Sequence, residues 1–415
     1  MLRRIDRAFV KLMASATATS SIGMMPINLL PLLVGGWIEK LGASPSEAGA
    51  IGAAELGAMA IAAMMLSTRM HVLSRRRLAV LAGLGVLLAN LASAYGTNLD
   101  LLLAVRLVAG LCEGALLAAF SATIAGARDP ERLFAGVGIT SGLIAVAMLV
   151  LVPVAIAHWG TTGAFLAMSA LTLMSLPLLT RLPSFGRTRA VGAPPGARMR
   201  APGGGEPLAR GSIRRAGVVL AFAAVLVATG QAAVWSFSER IGEGLGYDAT
   251  TIGLILGAAS LSGTLGALAA AFLGADRGRA LPLLAGYVGV IVAIGLVTGG
   301  ARAEAFAAGQ VVFAFFYFFV SPYVMGVAAA LDPHGRVASA LSGGLLVGAG
   351  LGPAAGGVLV ERFDFVTLGV AGTLLVGLSG LLLLVDAQLR VAVVGSRDLP
   401  VFSRSRDWPD PTRRG

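Results

Sequence analysis

Charge is scarce in this chain. Only 13% of its 415 residues are Asp, Glu, Lys or Arg, where a soluble domain averages about 25%. So few charges cannot build a polar coat, and a mean hydropathy of +0.84 points to hydrocarbon as the main solvent. Cys112 is the sole cysteine, which excludes a disulfide framework and a cysteine zinc site. The three histidines are scattered, so no metal is expected. The sequence also lacks a nucleophile–base constellation, a phosphate-cradling glycine loop and a nucleotide site. These absences argue against an enzyme, an ATP-driven pump and a cofactor.

What is present is a succession of apolar runs of spanning length, about 20 residues each. They read near Leu12–Trp37, Ser46–Ser67, Leu78–Gly96, Leu101–Ala125, Leu133–Ala157 and Gly163–Thr180, and then near Ala216–Ser238, Ala249–Gly274, Leu281–Thr298, Ala305–Leu331, Val337–Val360 and Phe365–Val385. The fold class expected is an all-α polytopic membrane protein with twelve spans. The first span is too long for a signal peptide and lacks a small-residue cleavage site, so it reads as a retained helix.

Lys and Arg favour cytoplasmic segments, and here they fall in every second gap between the runs. Only Lys40, Arg240, Arg302 and Arg362 occupy the alternate gaps, and Arg106 lies inside a span. This segregation predicts both termini in the cytoplasm. The formal charge of +11 is then a topology signal, reinforced by attraction to anionic lipid, and no nucleic-acid partner is expected.

A segment at 181–215, rich in Arg, Pro and Gly, divides the spans six from six and reads as a basic cytoplasmic linker. The domains expected are an N-terminal bundle at 1–180, the linker, a C-terminal bundle at 216–386 and a cytoplasmic tail at 387–415. Across the linker the sequence repeats. Leu41-Gly42, Ser44 and Gly49 recur 204 positions on as Leu245-Gly246, Asp248 and Gly253. Ser44 and Asp248 are good helix N-caps; Pro45 suits a first helical turn and Glu47 completes a capping box. Arg75 maps onto Arg279 and Arg132 onto Arg336, while Asp-Pro recurs at 129–130 and 332–333 with a slip of one. Six spans separate the copies, so both copies face the same way, as in parallel-repeat transporters.

The fourth span carries Arg106, Gly110 and Gly114 in an R-x-x-x-G-x-x-x-G frame. This resembles the fourth-helix signature of the major facilitator superfamily. The run from Gly348 through Gly350, Gly352 and Pro353 to Gly356 and Gly357 resembles the G-x-x-x-G-P-x-x-G-G motif of drug–proton antiporters. There it marks the fifth helix; here it sits in the eleventh span, and 133–157 lacks it. The loop between spans two and three resembles the superfamily's G-x-x-x-D-R-x-G-R-R. It ends in Ser74-Arg75-Arg76, with His71 where Asp is usual, and its counterpart keeps Gly278-Arg279 with Asp276 one position out of register. The resemblance implies two six-helix bundles rocking about a midplane site. It makes Arg75, Arg76, Gly278, Arg279, Gly348, Gly352 and Pro353 candidates for conformational roles, with ordinary tight packing as the alternative for the glycines.

Ionisable groups inside a bilayer cost about 2.5–3.5 kcal/mol on insertion scales and are functional candidates by default. Glu55 and Glu113 should lie near the midplane, with Arg106 nearer the outside. Arg106 and Glu113, seven residues apart, share a face at about 10 Å along the axis, too far to pair but able to line one cavity. Arg106 could hold an anionic group or tune a carboxylate, and Glu113 or Glu55 could accept a proton; fixed helix-pinning hydrogen bonds are the alternative. In the second half Gln310 and Tyr317 stand at the matching positions. With Gln231, Trp235 and Tyr323 they suit an aromatic or amphipathic molecule. Asn28 is a further ligand candidate in span one, whose serines and threonines could instead satisfy carbonyls freed by Pro26 and Pro31. Glu239-Arg240 end span seven at the outer face, where a helix-end ion pair is expected and gating of the cavity is the alternative.

These observations predict a monomeric, multi-pass protein of a bacterial-type plasma (inner) membrane. It would be a secondary transporter of small organic molecules working by alternating access, with protons as coupling ion and the lipid bilayer as its surroundings. Export of hydrophobic or drug-like compounds is the favoured reading and uptake of an organic anion the rival. A non-transporting sensor on the same scaffold is the alternative of another class.

Overall fold

The computed structural model describes residues 7–96, 98–184, 210–274, 278–300, 302–332 and 336–385. Most of the 181–215 linker, Asp276, Pro333 and the 387–415 tail lie outside the described residues. Among those described, every regular element is a helix. The first half holds α1 (Arg7–Leu41), α2 (Pro45–Ser67), α3 (Arg75–Tyr95), α4 (Leu99–Ala125), α5 (Pro130–Trp159) and α6 (Thr161–Leu179). The second holds α7 (Arg210–Ser236), α8 (Ser238–Gly244), α9 (Ala249–Leu273), α10 (Ala280–Thr298), α11 (Ala303–Leu331), α12 (Arg336–Arg362) and α13 (Phe365–Val385). All but α8 are long and apolar enough to cross a membrane, which gives the twelve spans.

Several boundaries differ from the sequence reading, among them those of α1, which runs five residues earlier and four later than the apolar run. α7 begins at Arg210, inside the stretch read as linker. α4 begins at Leu99 because Asn98 caps it, its side chain accepting from the Asp100 and Leu101 amides. Span seven breaks at Phe237, and a short α8 carries on from it. The break has a local cause: the Ser236 and Ser238 hydroxyls donate to the carbonyls four residues back, Ala232 and Val234. That arrangement bends helices.

The repeated entry device is real in both halves. Gly42 and Gly246 take positive φ, 65° and 90°. Ser44 then accepts from the Glu47 amide while Glu47 accepts from Ser44, and Asp248 accepts from the Thr250 amide. In the first bundle α4 lies on α2 and α3, α3 on α6, and α1 on α4, α5 and α6. In the second, α12 and α13 flank α7, and α11 lies between α9 and α10.

The halves meet along two repeat-related seams, α2 with α12 and α5 with α9. The glycine run of α12 serves two neighbours at once. Gly344, Gly348 and Gly352 abut the α7 backbone, where an added Cβ would overlap α7 atoms. On the other face Gly350 meets Gly57, Pro353 meets Gly49 and Gly357 meets Pro45 of α2. Gly348 and Gly352 therefore pack inside their own half, and Pro353 lies on the seam. Small residues permit this approach where lipid supplies no hydrophobic drive.

One end of the molecule carries Arg75, Arg76, Arg128 and Arg132; it is called the basic end below, and the opposite end the far end. At the far end the seams close backbone to backbone, at Gly49 on Pro353 and Gly253 on Leu149, and Glu361 accepts the Ser46 amide at 2.9 Å. Toward the basic end they loosen to side-chain contacts, with Gly343 facing Met64 and Gly142 facing Thr264.

Candidate functional site

The charged centre of the first bundle is assembled by the glycines of α4. Gly110 sits on the Glu55 carbonyl and Gly114 on the Met59 carbonyl, leaving no room for a Cβ. This contact lays α4 against α2 and brings Arg106 opposite Glu55. Arg106 Nη1 donates to Glu55 Oε1 at 3.0 Å and Nη2 to Asn90 Oδ1 of α3 at 3.0 Å. The guanidinium lies 5.0 Å from the Phe165 ring centroid on α6. Glu55, Asn90, Arg106 and Glu113 are all 0% exposed.

With α4 starting at Leu99, Arg106 is in its second turn from the far end, and its side chain reaches Glu55 of α2. Glu113, two turns further along α4, has no hydrogen-bond partner on either oxygen among the described residues, and the second oxygen of Glu55 is also unpartnered. The guanidinium is thus bonded to one of the two buried carboxylates, Glu55, and not to the other. An isolated buried anion is costly unless paired or neutralised.

The second bundle has no such cluster at the matching place. Gln310 is fully buried, and neither amide atom has a partner among the described residues. Tyr317 and Tyr287 line a small cavity of about 30 Å³ among α7, α10, α11 and α12, with Ser321 beside them, enough for about one water. Tyr287 and Ser379 exchange a hydrogen bond at 3.1 Å, and Ser379 donates to the Ala223 carbonyl at 2.8 Å. Tyr323 donates to the Ala270 carbonyl at 3.4 Å.

Trp235 and Gln231 sit one turn apart on α7, half-buried, and Asn28 is half-buried on α1. The Trp235 indole crosses between halves, donating from Nε1 to the Ile27 carbonyl at 2.8 Å. That carbonyl is available because Pro31, four residues on, has no N–H to offer it. Sequence reasoning assigned Trp235 to a substrate surface; its N–H is engaged with α1.

The basic-end candidates pack within their own halves. Arg75 is buried beside Gly126 at the carbonyl end of α4, Arg76 donates to the Leu182 carbonyl at 2.8 Å, and Arg279, with Gly278 before it, lies against Gly326 of α11. Arg75 and Arg279 thereby repeat one docking at repeat-related helices. Arg240 pairs with Glu243, not with Glu239 as the helix-end pair would have it. Asn90, Phe165 and Gly35 were missed. A lone Asn in a span was the available signal for the first; nothing local marks the other two.

No match was found among curated protein sequences. Among solved structures the chain is similar to the nucleoside transporter NupG, at 13% identity and TM-score 0.69, covering 93% of this chain and 99% of that one. It is also similar to a bacterial homologue of the human lysosomal transporter Spinster in an inward-facing, unoccupied conformation. That match has 13% identity and TM-score 0.60, covering 94% and 97%. At such identities the likeness speaks for the fold. The family model described as Major Facilitator Superfamily matches residues 9–333, from α1 to the end of α11. Twelve spans, a parallel repeat and that match agree: the chain belongs to the major facilitator superfamily of small-molecule transporters.

Proposed function

We propose that this transporter is proton-coupled and exports hydrophobic or drug-like compounds, as a monomer in a bacterial-type plasma membrane with the basic end and both termini in the cytoplasm. One observation carries the coupling: Arg106 is bonded to Glu55, and the equally buried Glu113 has no hydrogen-bond partner among the described residues. A proton on Glu113 removes the excess charge. Arg106, between the two carboxylates in sequence and reach, is the group that can exchange partners when the bundles rock. The neutral second bundle, where Gln231, Trp235 and Tyr317 are half-buried, offers ring faces and an amide group to an uncharged or lipophilic molecule. Anion uptake is the weaker reading, because both terminal nitrogens of Arg106 are already bonded to protein.

Proteoliposomes loaded with ethidium or drug-like compounds, with and without an imposed pH gradient, test this reading. Transport should follow the gradient and fail when Glu55 and Glu113 are both changed to Gln. Flux that ignores the gradient and survives both changes removes the proton; no flux of any compound, with binding intact, favours the sensor.

A further inference from the structure

The far-end contact between α8 and α1 has a feature that the central charge cluster does not use. Glu239 is 7% exposed, and its side chain crosses from the second half to lie on Gly35 of α1 so closely that any Cβ there would overlap the carboxyl group. Its Oε2 has no hydrogen-bond partner among the described residues. A few residues back in the chain, Trp235 holds the same helix α1 through the Ile27 carbonyl that Pro31 leaves free. Two groups from the α7–α8 bend therefore grip α1 at Ile27 and Gly35, and both grips join one half to the other.

We propose that Glu239 is a second proton-binding site, and that its proton holds the far-end gate shut. In the closed form the neutral carboxyl group seats on Gly35 and Trp235 is latched on Ile27. Loss of the proton places a charge against apolar backbone, and the α7–α8 bend lifts away. The reading rests on alternating access but not on coupling at Glu113.

The surroundings favour the neutral form. α8 lies past the end of the seventh span, and burial lifts the Glu239 carboxyl from its ordinary 4.5 to about 7, with Arg240 opposing and Glu243 and Glu39 adding to the rise. Arg240 is itself taken up by Glu243. From α1, Lys40 points elsewhere, donating to the Trp159 carbonyl at 3.3 Å. Asp248 serves its own helix cap, and Tyr247 packs on Phe306. The sequences of α9 and α10 contain no Asp, Glu, Lys, Arg or His. Among the described residues Arg240 is the cation that opposes the rise, and its guanidinium is bonded to Glu243.

The sign follows. Once the gate opens, Glu239 meets water and returns to the ordinary carboxylate range. The closed form binds the proton more tightly, so closure is fully favoured below about 4.5 and the advantage is lost as pH rises through about 7. Between pH 5.5 and 8.5 the closed-to-open ratio should fall about thirty-fold.

Asp100 and Glu304, exposed at the far ends of α4 and α11 and related by the repeat, are suitable spin-label positions. The experiment measures the label-to-label distance by double electron–electron resonance on Asp100→Cys/Glu304→Cys in a Cys112→Ser background, in lipid nanodiscs across that pH range. The short distance should dominate at low pH and give way to a longer one as pH rises toward about 7. Glu239→Gln should stay short throughout, Trp235→Phe should lengthen at every pH, and Pro31→Ala should do the same by returning an N–H to Ile27. Glu113→Gln should keep the wild-type midpoint. A wild-type distribution that ignores pH, a Glu239→Gln protein that still titrates, or a midpoint that disappears in Glu113→Gln instead would each overturn the assignment.

Discussion

The two bundles share a backbone plan and differ in their chemistry. Where the first places Arg106, Glu113, Glu55 and Asn90, the second has Gln310, Tyr317, Ala259 and Ile294 at the positions 204 residues on. The close approach between the paired helices is kept, but its glycines have changed sides. In the first half Gly110 and Gly114 of α4 admit α2; in the second Gly263 and Gly266 of α9 admit Phe318 and Phe315 of α11. Duplication thus preserves the distance between helices more faithfully than the residues that set it. On the proposed function, the charge of one bundle suits an ion and the rings of the other an organic molecule.

The largest effect should come from breaking the charged half. Arg106→Met leaves the buried Glu55 without its cation and should cost about 3–5 kcal/mol of stability, seen as earlier thermal unfolding in detergent. Adding Glu55→Gln should recover much of it; a single variant as stable as wild type would show that the charges do not hold the bundle. A somewhat smaller loss, about 2.5–3.5 kcal/mol, is expected when the neutral half is made to resemble the charged one by Gln310→Glu, which buries a carboxylate with no guanidinium. Equal unfolding curves would mean that the second bundle tolerates charge and that the asymmetry is incidental. The smallest change sharpens the neutral half alone: Tyr287→Phe removes the bond to Ser379 and should cost about 1 kcal/mol, with no effect on the pH dependence of transport.

Much of this architecture was legible in the residues. Apolar runs and alternating basic loops fix twelve spans because hydrocarbon tolerates neither charge nor open backbone. The 204-residue offset exposed the duplication, and Ser44 with Glu47 announced its capping box because capping is local. What escaped the sequence depended on distant partners. Glu55 and Arg106 are 51 residues apart, and only the fit of Gly110 onto the Glu55 carbonyl makes them neighbours. Trp235 looked like a ligand-facing ring because its acceptor, Ile27, is 208 residues away and is exposed by a proline in another helix. Gly35 carried no signal, since its meaning is the carboxyl group that occupies its missing side chain.

Glu113→Gln is the most direct test of the account, assayed in proteoliposomes for two activities side by side. The neutral side chain should leave exchange of ethidium for ethidium across the bilayer near wild-type rate, because the bundles can still rock around a substrate. It should abolish accumulation driven by a pH gradient, because no proton is bound or released. Loss of both activities in a well-folded protein, or retention of both, would contradict the claim that the unpaired carboxylate of the first bundle carries the coupling proton.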